Sequence, residues 1–110
     1  VYAPERIPYA IERYDSEVRR LHRVMDKRLS ESPYLAGADY GIADMACYPW
    51  IGAYAKLPVD FDAFPHLHRW HREIAERPAT QRAYAIGPTI NPDAGKPLSE
   101  EERRQLFGQR

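Results

Sequence analysis

The sequence predicts an all-α protein, on three observations. From Ile7 to Leu29 a set of apolar residues recurs at steps of four or three, which is the spacing of one helical face. A second apolar run, from Ile42 to about Leu57, covers every side of a helical wheel. No segment fits the two-residue alternation of a strand better than it fits a helix. The 110 residues, 44% hydrophobic and 29% charged, have the composition of one globular domain.

The first helix is expected to begin near Pro8 and to end around Ser30. Proline suits the first turn of a helix, where its missing N–H is not needed, and Pro33 disfavours helix in the residue before it. The remaining positions mix acidic and basic residues, as a solvated helical face does. The predicted apolar stripe comprises Ile7, Ile11, Tyr14, Val18, Leu21, Met25 and Leu29.

The second helix, residues 42–57, is expected to be the central one, because its all-round apolar surface requires neighbours on every side. Pro49 cannot donate to the carbonyl of Met45 and crowds it, so a bend is expected between Ala46 and Pro49. In the loop before this helix, the side chains of Tyr34 and Leu35 are expected to anchor the loop to the core.

Pro65 is expected to open a third helix, with Leu67, Trp70 and Ile74 as a narrow buried stripe. Pro78 ends that helix and can open the next one.

A short fourth helix is expected to close at Gly87, and residues 87–97 are expected to form an extended tail. A last short helix follows, because Ser99 and Glu102 have the spacing of a capping box.

Asp44 is a lone acid at the head of the apolar run. With Gly41 as the helix cap, Asp44 becomes the third helical residue, from which a carboxylate can accept hydrogen bonds from backbone N–H groups that the first turn leaves unpaired. Its charge also suits the positive end of the helix dipole. Tyr40 and Met45 have the spacing of a hydrophobic staple. A capping role is therefore favoured over a catalytic one, since no basic partner or second acid lies nearby in the sequence.

Charge and cysteine content narrow the classes of partner. Sixteen basic and sixteen acidic side chains cancel to zero net charge, which favours neither nucleic acid nor an anionic membrane. The longest apolar run is interrupted and too short to span a bilayer. The single cysteine, Cys47, cannot form an internal disulfide, and no signal segment is visible, so a cytoplasmic location is expected.

The segments "YLAGADYGIADMACYPW" and "FPHLHRWHREIAERPA" resemble the C-terminal helical domain of cytosolic glutathione transferases. With "IPYAIERYDSEVRRLHRVMDKRLSESPYLAG", the chain is most similar to the bacterial nu-class members, which are glutathione-dependent disulfide-bond oxidoreductases. The resemblance implies a helical bundle domain over residues 1–87 and a C-terminal tail with a short helix over residues 88–110. One departure is Gly41, which stands where the family usually has a hydroxyl residue.

The resemblance also implies what accompanies this domain. In the family, a thioredoxin-like domain and the first helix of the bundle precede the matching region, and that domain holds most of the glutathione site. The expected enzyme is a homodimer that uses glutathione as cosubstrate and a small electrophile or disulfide as second substrate. The 110 residues alone are expected to be inactive and to expose apolar surface. The alternative is a non-catalytic, glutathione transferase-like protein-interaction domain, which the upstream sequence would distinguish from an enzyme.

Arg13 is the one residue expected to bind glutathione, and no catalytic residue is assigned in this chain. By position alone it is a solvated cation on the polar side of the first helix. The resemblance changes this interpretation, because the arginine of the nu-class "IERY" segment reaches into the interdomain cleft and contacts glutathione. A guanidinium matches either carboxylate of glutathione in a planar, bidentate geometry.

Cys47 is interpreted as an inert packing residue rather than a redox centre, because its neighbours are apolar. The same applies to Tyr48, Trp50 and Tyr54, which could line a substrate pocket but are explained by packing in a central helix.

Three histidines raise the question of a metal site. Only His68 and His71 have the spacing that places both on one helical face, and His66 does not join them. No further ligand completes a set, so no metal is expected and the imidazoles are interpreted as exposed.

Overall fold

The structure is a computed structural model that describes residues 6–52, 59–92 and 96–108. These residues contain helices and no strand, which confirms the predicted all-α class. None of the described helices is both long enough and apolar enough to cross a membrane. The helices are α1 (Pro8–Glu31), α2 (Ile42–Cys47), α3 (Pro65–Ala75), α4 (Pro78–Ile90) and α5 (Glu100–Phe107), with a 3-10 turn over Tyr48–Trp50.

The chain divides between Glu76 and Arg77 into two compact units. The first unit holds the buried core, which joins the end of α1, the residue after the 3-10 turn and one face of α3. Half-buried aromatic and aliphatic side chains from the intervening loops pack around this core, including the two predicted loop anchors, Tyr34 and Leu35. The buried apolar residues are Leu29, Ile51, Leu67, Trp70 and Ile74.

Helix α1 begins and ends where its proline signals predict. Its apolar stripe is buried only near the C-terminal end, at Leu29, with Met25 packed beside it. Further up the helix Ile11, Tyr14 and Leu21 are 44%, 71% and 47% exposed. The stripe predicted from the sequence is therefore present, but within the described residues its N-terminal half is not covered.

His22 is buried among apolar groups, with its ring edge-on to Phe64 at a centroid distance of 5.9 Å. Burial lowers the pKa of His22, because removing water disfavours the charged imidazolium. This residue extends the packed face of α1 beyond the apolar positions.

The prediction of one helix from Ile42 to about Leu57 is wrong. Helix α2 ends at Cys47 and the chain passes into the 3-10 turn that contains Pro49. The interruption falls where a bend was expected, and the backbone then turns at Gly52, whose φ of 74° lies in the left-handed region that favours glycine. Residues 53–57 lie outside the described part of the chain.

The expected central position of this helix is also not observed, since Ile42 and Met45 are 85% and 53% exposed. Tyr40 lies edge-on to Tyr34 with ring centroids 5.7 Å apart, and both rings pack against the core. The apolar wheel over residues 42–57 therefore overstates the burial of this segment, because α2 has only six residues.

Helix α3 matches its prediction, with Pro65 at its first position and Leu67, Trp70 and Ile74 buried. Its N-terminus has no local side-chain cap. Asp26 of α1 supplies one, since its Oδ1 accepts hydrogen bonds from the backbone N–H groups of His66 at 2.8 Å and Leu67 at 2.9 Å. A carboxylate forty residues away in the sequence therefore satisfies the free donors of α3.

Arg69 makes the complementary contact with the end of α1. Its Nη2 donates to the carbonyl oxygens of Leu29 and Pro33, both at 3.2 Å. Arg28 donates from Nε to the carbonyl oxygen of Leu35 at 3.0 Å. Carbonyl groups at and after the end of a helix have no helical donors, so these two arginines stabilise the turn that leaves α1.

The second unit contains α4 and α5. The expectation that α4 closes at Gly87 is wrong, because the helix continues through Gly87 and Pro88 to Ile90. A glycine that closes a helix usually adopts a left-handed backbone conformation, and Gly87 does not. Pro88 has no N–H to donate, so one hydrogen bond is absent while the helix continues. The capping box of α5 is confirmed: the backbone N–H of Glu102 donates to Ser99 Oγ at 3.3 Å, and Ser99 N–H donates to the Glu102 carboxylate at 2.8 Å.

Asp44 is fully buried and holds three segments of the first unit together. Its Oδ2 accepts from the backbone N–H of Gly41 at 3.0 Å, which is the predicted cap of α2. Its Oδ1 accepts from the backbone N–H of Leu35 at 3.0 Å and from Trp70 Nε1 at 2.7 Å. Gly41 has no side chain, so only the carboxylate half of a capping box exists here.

Replacing Asp44 should destabilise the protein more than loss of an ordinary cap. Asp44→Ala leaves two backbone donors and one indole donor without their acceptor, and we expect a loss of about 3–5 kcal/mol in the free energy of unfolding. Trp70→Phe removes one of these bonds and leaves a cavity in the core, so it should cost about 2–3 kcal/mol. Denaturant unfolding measures both losses, with Asp39→Ala as an exposed acidic control. Unchanged stability of Asp44→Ala with abolished activity would instead make Asp44 catalytic.

The contact between α1 and the N-terminus of α3 gives a second prediction. Asp26→Ala removes the acceptor of two backbone N–H groups and should lower the free energy of unfolding by about 1–2 kcal/mol. Asp26→Asn retains an oxygen acceptor and should lose about half as much. Asp15→Ala, on an exposed face of the same helix, is the matched control. If Asp26→Ala and Asp15→Ala unfold at the same denaturant concentration, the long-range cap contributes nothing.

Candidate functional site

Arg13 lies in the second turn of α1, and its side chain is 61% exposed. Its Nη1 lies 3.8 Å from Oε2 of Glu17, one turn further along the helix. This distance is long for an ion pair, and exposed pairs of this spacing contribute little to helix stability. The guanidinium is therefore accessible to a ligand in solution.

Glu17 has a closer partner in Arg20. Arg20 Nη2 donates to Oε1 of Glu17 at 2.7 Å, and Arg20 Nε donates to Oε2 at 2.9 Å. These hydrogen bonds lower the pKa of the Glu17 carboxyl and raise the pKa of Arg20, so Glu17 is held in its ionised form. Glu17 thus shares one carboxylate between a tight partner, Arg20, and a loose one, Arg13.

This arrangement, which we call the Arg13–Glu17–Arg20 triad, lies along one polar strip of α1, because its members are separated by four and three residues. A shallow, open depression of about 540 Å³ lies along α1. Seven of the residues between Arg6 and Arg19, these two included, line it. Arg13 is not among the residues that line it. The triad therefore lies on the protein surface, where an anion from solution can reach Arg13.

The two histidines with shared spacing on α3 lie against one aromatic ring. His68 stacks on Phe61 at a centroid distance of 4.8 Å, and His71 lies 5.2 Å from the same ring. His71 also stacks on Tyr48 at 4.9 Å. His66 and His68 are exposed as expected, but the expectation of an exposed imidazole is wrong for His71, which is half-buried.

Burial lowers the pKa of His71, and the neighbouring His68 lowers it further, whereas a hydrogen bond with the backbone of Ile51 acts in the opposite direction. In the described parts of the chain, no group of three or more His, Cys, Asp or Glu residues is arranged to hold a metal ion. The geometry assigns His71 to packing between α3 and the segment that follows α2.

Cys47 is half-buried and packs against the core cluster, as does Tyr48, whose ring lies 6.1 Å from Trp70 in an edge-on contact. Trp50 was expected to pack in a central helix, but it is 70% exposed because the helix has already ended. Tyr54 lies outside the described residues. Cys47 therefore packs against the core, as its apolar neighbours in the sequence predict.

The sequence predicts Arg13 as a site residue but does not predict its partners Glu17 and Arg20 as part of the site. The signal was present, because a glutamate four residues after one arginine and three before another is the spacing of helical ion pairs. Which of the two arginines holds Glu17 could not be decided from spacing, since both are sterically allowed. The distances of 2.7 and 3.8 Å decide in favour of Arg20.

Residues 9–78 match a known protein family, which is described as the glutathione S-transferase C-terminal domain. This range includes all of α1 except its first residue, together with α2, α3 and the Arg13–Glu17–Arg20 triad.

Three curated relatives are similar over most of this chain. The disulfide-bond oxidoreductase YfcG of Escherichia coli is 49% identical over 81 residues, which cover 74% of this chain and 38% of the relative. The disulfide-bond oxidoreductase YghU of the same species is 40% identical over 98 residues, covering 83% and 34%. A GST-like protein of Streptococcus mutans is 38% identical over 93 residues, covering 77% and 35%. The chain thus spans little more than a third of the length of each relative.

Proposed function

The chain belongs to the glutathione S-transferase C-terminal domain family, and we propose that it is the helical domain of a glutathione-dependent disulfide-bond oxidoreductase. The main support for this proposal is the similarity of the chain to two Escherichia coli proteins that are named disulfide-bond oxidoreductases. In this proposal the chain forms one wall of a cleft that binds glutathione and a disulfide substrate. Transfer of glutathione to a small electrophile is the related activity that the same cleft would support.

The proposed protein is larger than the 110 residues. We propose a helical domain over residues 1–87 and a C-terminal tail with a short helix over residues 88–110, with a boundary that lies within α4. A thioredoxin-like domain of the same chain would supply the remainder of the glutathione site. The length of the relatives supports this organisation, since the chain accounts for 38% of the first and 34% of the second. We further propose a homodimer in the reducing cytosol, where glutathione is available as a thiol.

The proposed reaction is thiol–disulfide exchange. The thiolate of one glutathione attacks a sulfur of the substrate disulfide, forming a mixed disulfide and releasing the other sulfur as a thiolate. A second glutathione thiolate then attacks the glutathione sulfur of the mixed disulfide, which gives oxidised glutathione and the second substrate thiol. Cys47 is not required for either step, in agreement with its packing against the core.

In this mechanism Arg13 binds a carboxylate of glutathione and thereby orients its thiol. The structure supports this role in two ways. The guanidinium of Arg13 is largely exposed, and its distance of 3.8 Å to Glu17 leaves it free to form a closer bidentate pair with a ligand. The buried half of α1, which includes Leu29, fixes the helix that carries it.

Activity of the full-length protein tests the proposed reaction. We expect glutathione-dependent reduction of hydroxyethyl disulfide, measured as oxidised glutathione by coupling to glutathione reductase. Conjugation of glutathione to an activated aryl halide, measured by absorbance, tests the transferase activity in parallel. If the folded full-length protein shows neither activity and does not bind glutathione, the protein-interaction alternative replaces the enzyme.

Replacing Arg13 tests the proposed binding residue. In the full-length protein, Arg13→Ala should weaken glutathione binding by about tenfold to a hundredfold, because a charge-assisted hydrogen bond to a carboxylate is lost. Arg13→Lys should recover part of the affinity, since an ammonium cannot reproduce the planar fork. Calorimetric titration measures the dissociation constants.

Arg19→Ala is the matched control, because it removes an exposed arginine from a different face of the same helix. Both alanine variants should unfold at the same temperature as the parent, since neither side chain is buried. Equal glutathione affinity in Arg13→Ala and the parent would identify Arg13 as a solvated surface charge and refute the assigned site.

A further inference from the structure

We propose that Glu17 competes with a glutathione carboxylate for the guanidinium of Arg13, and that Arg20 is a positioning residue that favours ligand binding by retaining the displaced Glu17. The inference rests on the proposed binding of glutathione by Arg13. Glu17 and Arg20 thereby belong to the site and have opposite effects on its affinity for glutathione.

The geometry of the triad shows an uneven competition for one carboxylate. Oε2 of Glu17 accepts a hydrogen bond from Arg20 Nε at 2.9 Å and lies 3.8 Å from Arg13 Nη1. Oε1 accepts from Arg20 Nη2 at 2.7 Å. Arg20 therefore binds both oxygens of Glu17 in a fork, whereas Arg13 makes one longer contact with a single oxygen.

Displacing Glu17 from Arg13 costs little free energy, because no charge is left without a partner. When a ligand carboxylate binds Arg13, Glu17 keeps both hydrogen bonds from Arg20. Without Arg20, Glu17 would have only Arg13 as a cationic partner in the triad, and ligand binding would have to break that pair. Arg20 thus favours ligand binding without touching the ligand.

Glu17 opposes ligand binding for two reasons. Its carboxylate competes for Arg13, and its negative charge, 3.8 Å from the Arg13 guanidinium, repels an anionic ligand that binds there. Exposed charges at this separation interact measurably at low ionic strength and are screened by salt. The effects expected on the dissociation constant are therefore small, but they differ in sign between the two residues.

The experiment is a double-mutant cycle on glutathione affinity, measured by calorimetry on the full-length protein at low ionic strength. Glu17→Gln should tighten glutathione binding by roughly twofold to fivefold, because the competing charge is removed. Arg20→Ala should weaken it by roughly twofold, because Glu17 then pairs with Arg13. In the Glu17→Gln background, Arg20→Ala should have no effect. A merely structural role would weaken binding in both single variants.

Three outcomes overturn the inference. If Arg20→Ala weakens binding equally with and without Glu17, Arg20 attracts or contacts the ligand directly. If Glu17→Gln weakens binding, Glu17 itself supports the ligand. If neither single variant changes the dissociation constant while Arg13→Ala does, the triad has no role although the proposed site stands. An unchanged affinity in Arg13→Ala refutes the proposed site itself, so the two failures are distinguishable.

Discussion

The carboxylate of Asp44 is the constraint on which the first unit depends. A buried charge is stable only when hydrogen bonds replace its hydration, and Asp44 obtains them from the loop at Leu35, from the start of α2 at Gly41 and from Trp70 in α3. Each donor belongs to a different segment, so the carboxylate can be satisfied only when all three segments are in place. Trp70 is completely buried, and its indole N–H would be unpaired without this acceptor. Polar satisfaction and core packing are therefore coupled at one site.

The same principle connects α1 with α3. Asp26 accepts from the first backbone donors of α3, and Arg69 donates to carbonyl oxygens at and beyond the end of α1. Each helix end is thus completed by a side chain of the other helix, and in both cases the sign of the side chain suits the dipole of the end that it contacts. These polar contacts lie beside the buried Leu29 and Leu67 and fix which ends of the helices meet.

Features encoded by neighbouring residues could be predicted from the sequence. The start of α1 at Pro8, the stripe of α3 and the capping box at Ser99 all depend on residues within about one turn of one another. The cap of α3 by Asp26 could not be predicted, because Asp26 lies forty residues before the backbone N–H group of His66 that it caps. The length of α2 was misjudged because apolar composition does not specify helix length once a proline interrupts the ladder.

The candidate site was predictable to the same extent and for the same reason. The spacing of Arg13, Glu17 and Arg20 predicts that the three side chains share a face of α1, but it does not say which arginine binds more closely. That choice depends on side-chain conformation, and it decides whether Arg13 is available to a ligand. Because α1 is one continuous helix of 24 residues, Arg13 lies about 20 Å along its axis from Asp26, at a distance fixed by the rise of the helix. The buried contacts near Asp26 and Leu29 therefore hold the exposed half of α1 in a defined direction, and the guanidinium of Arg13 is positioned without being buried.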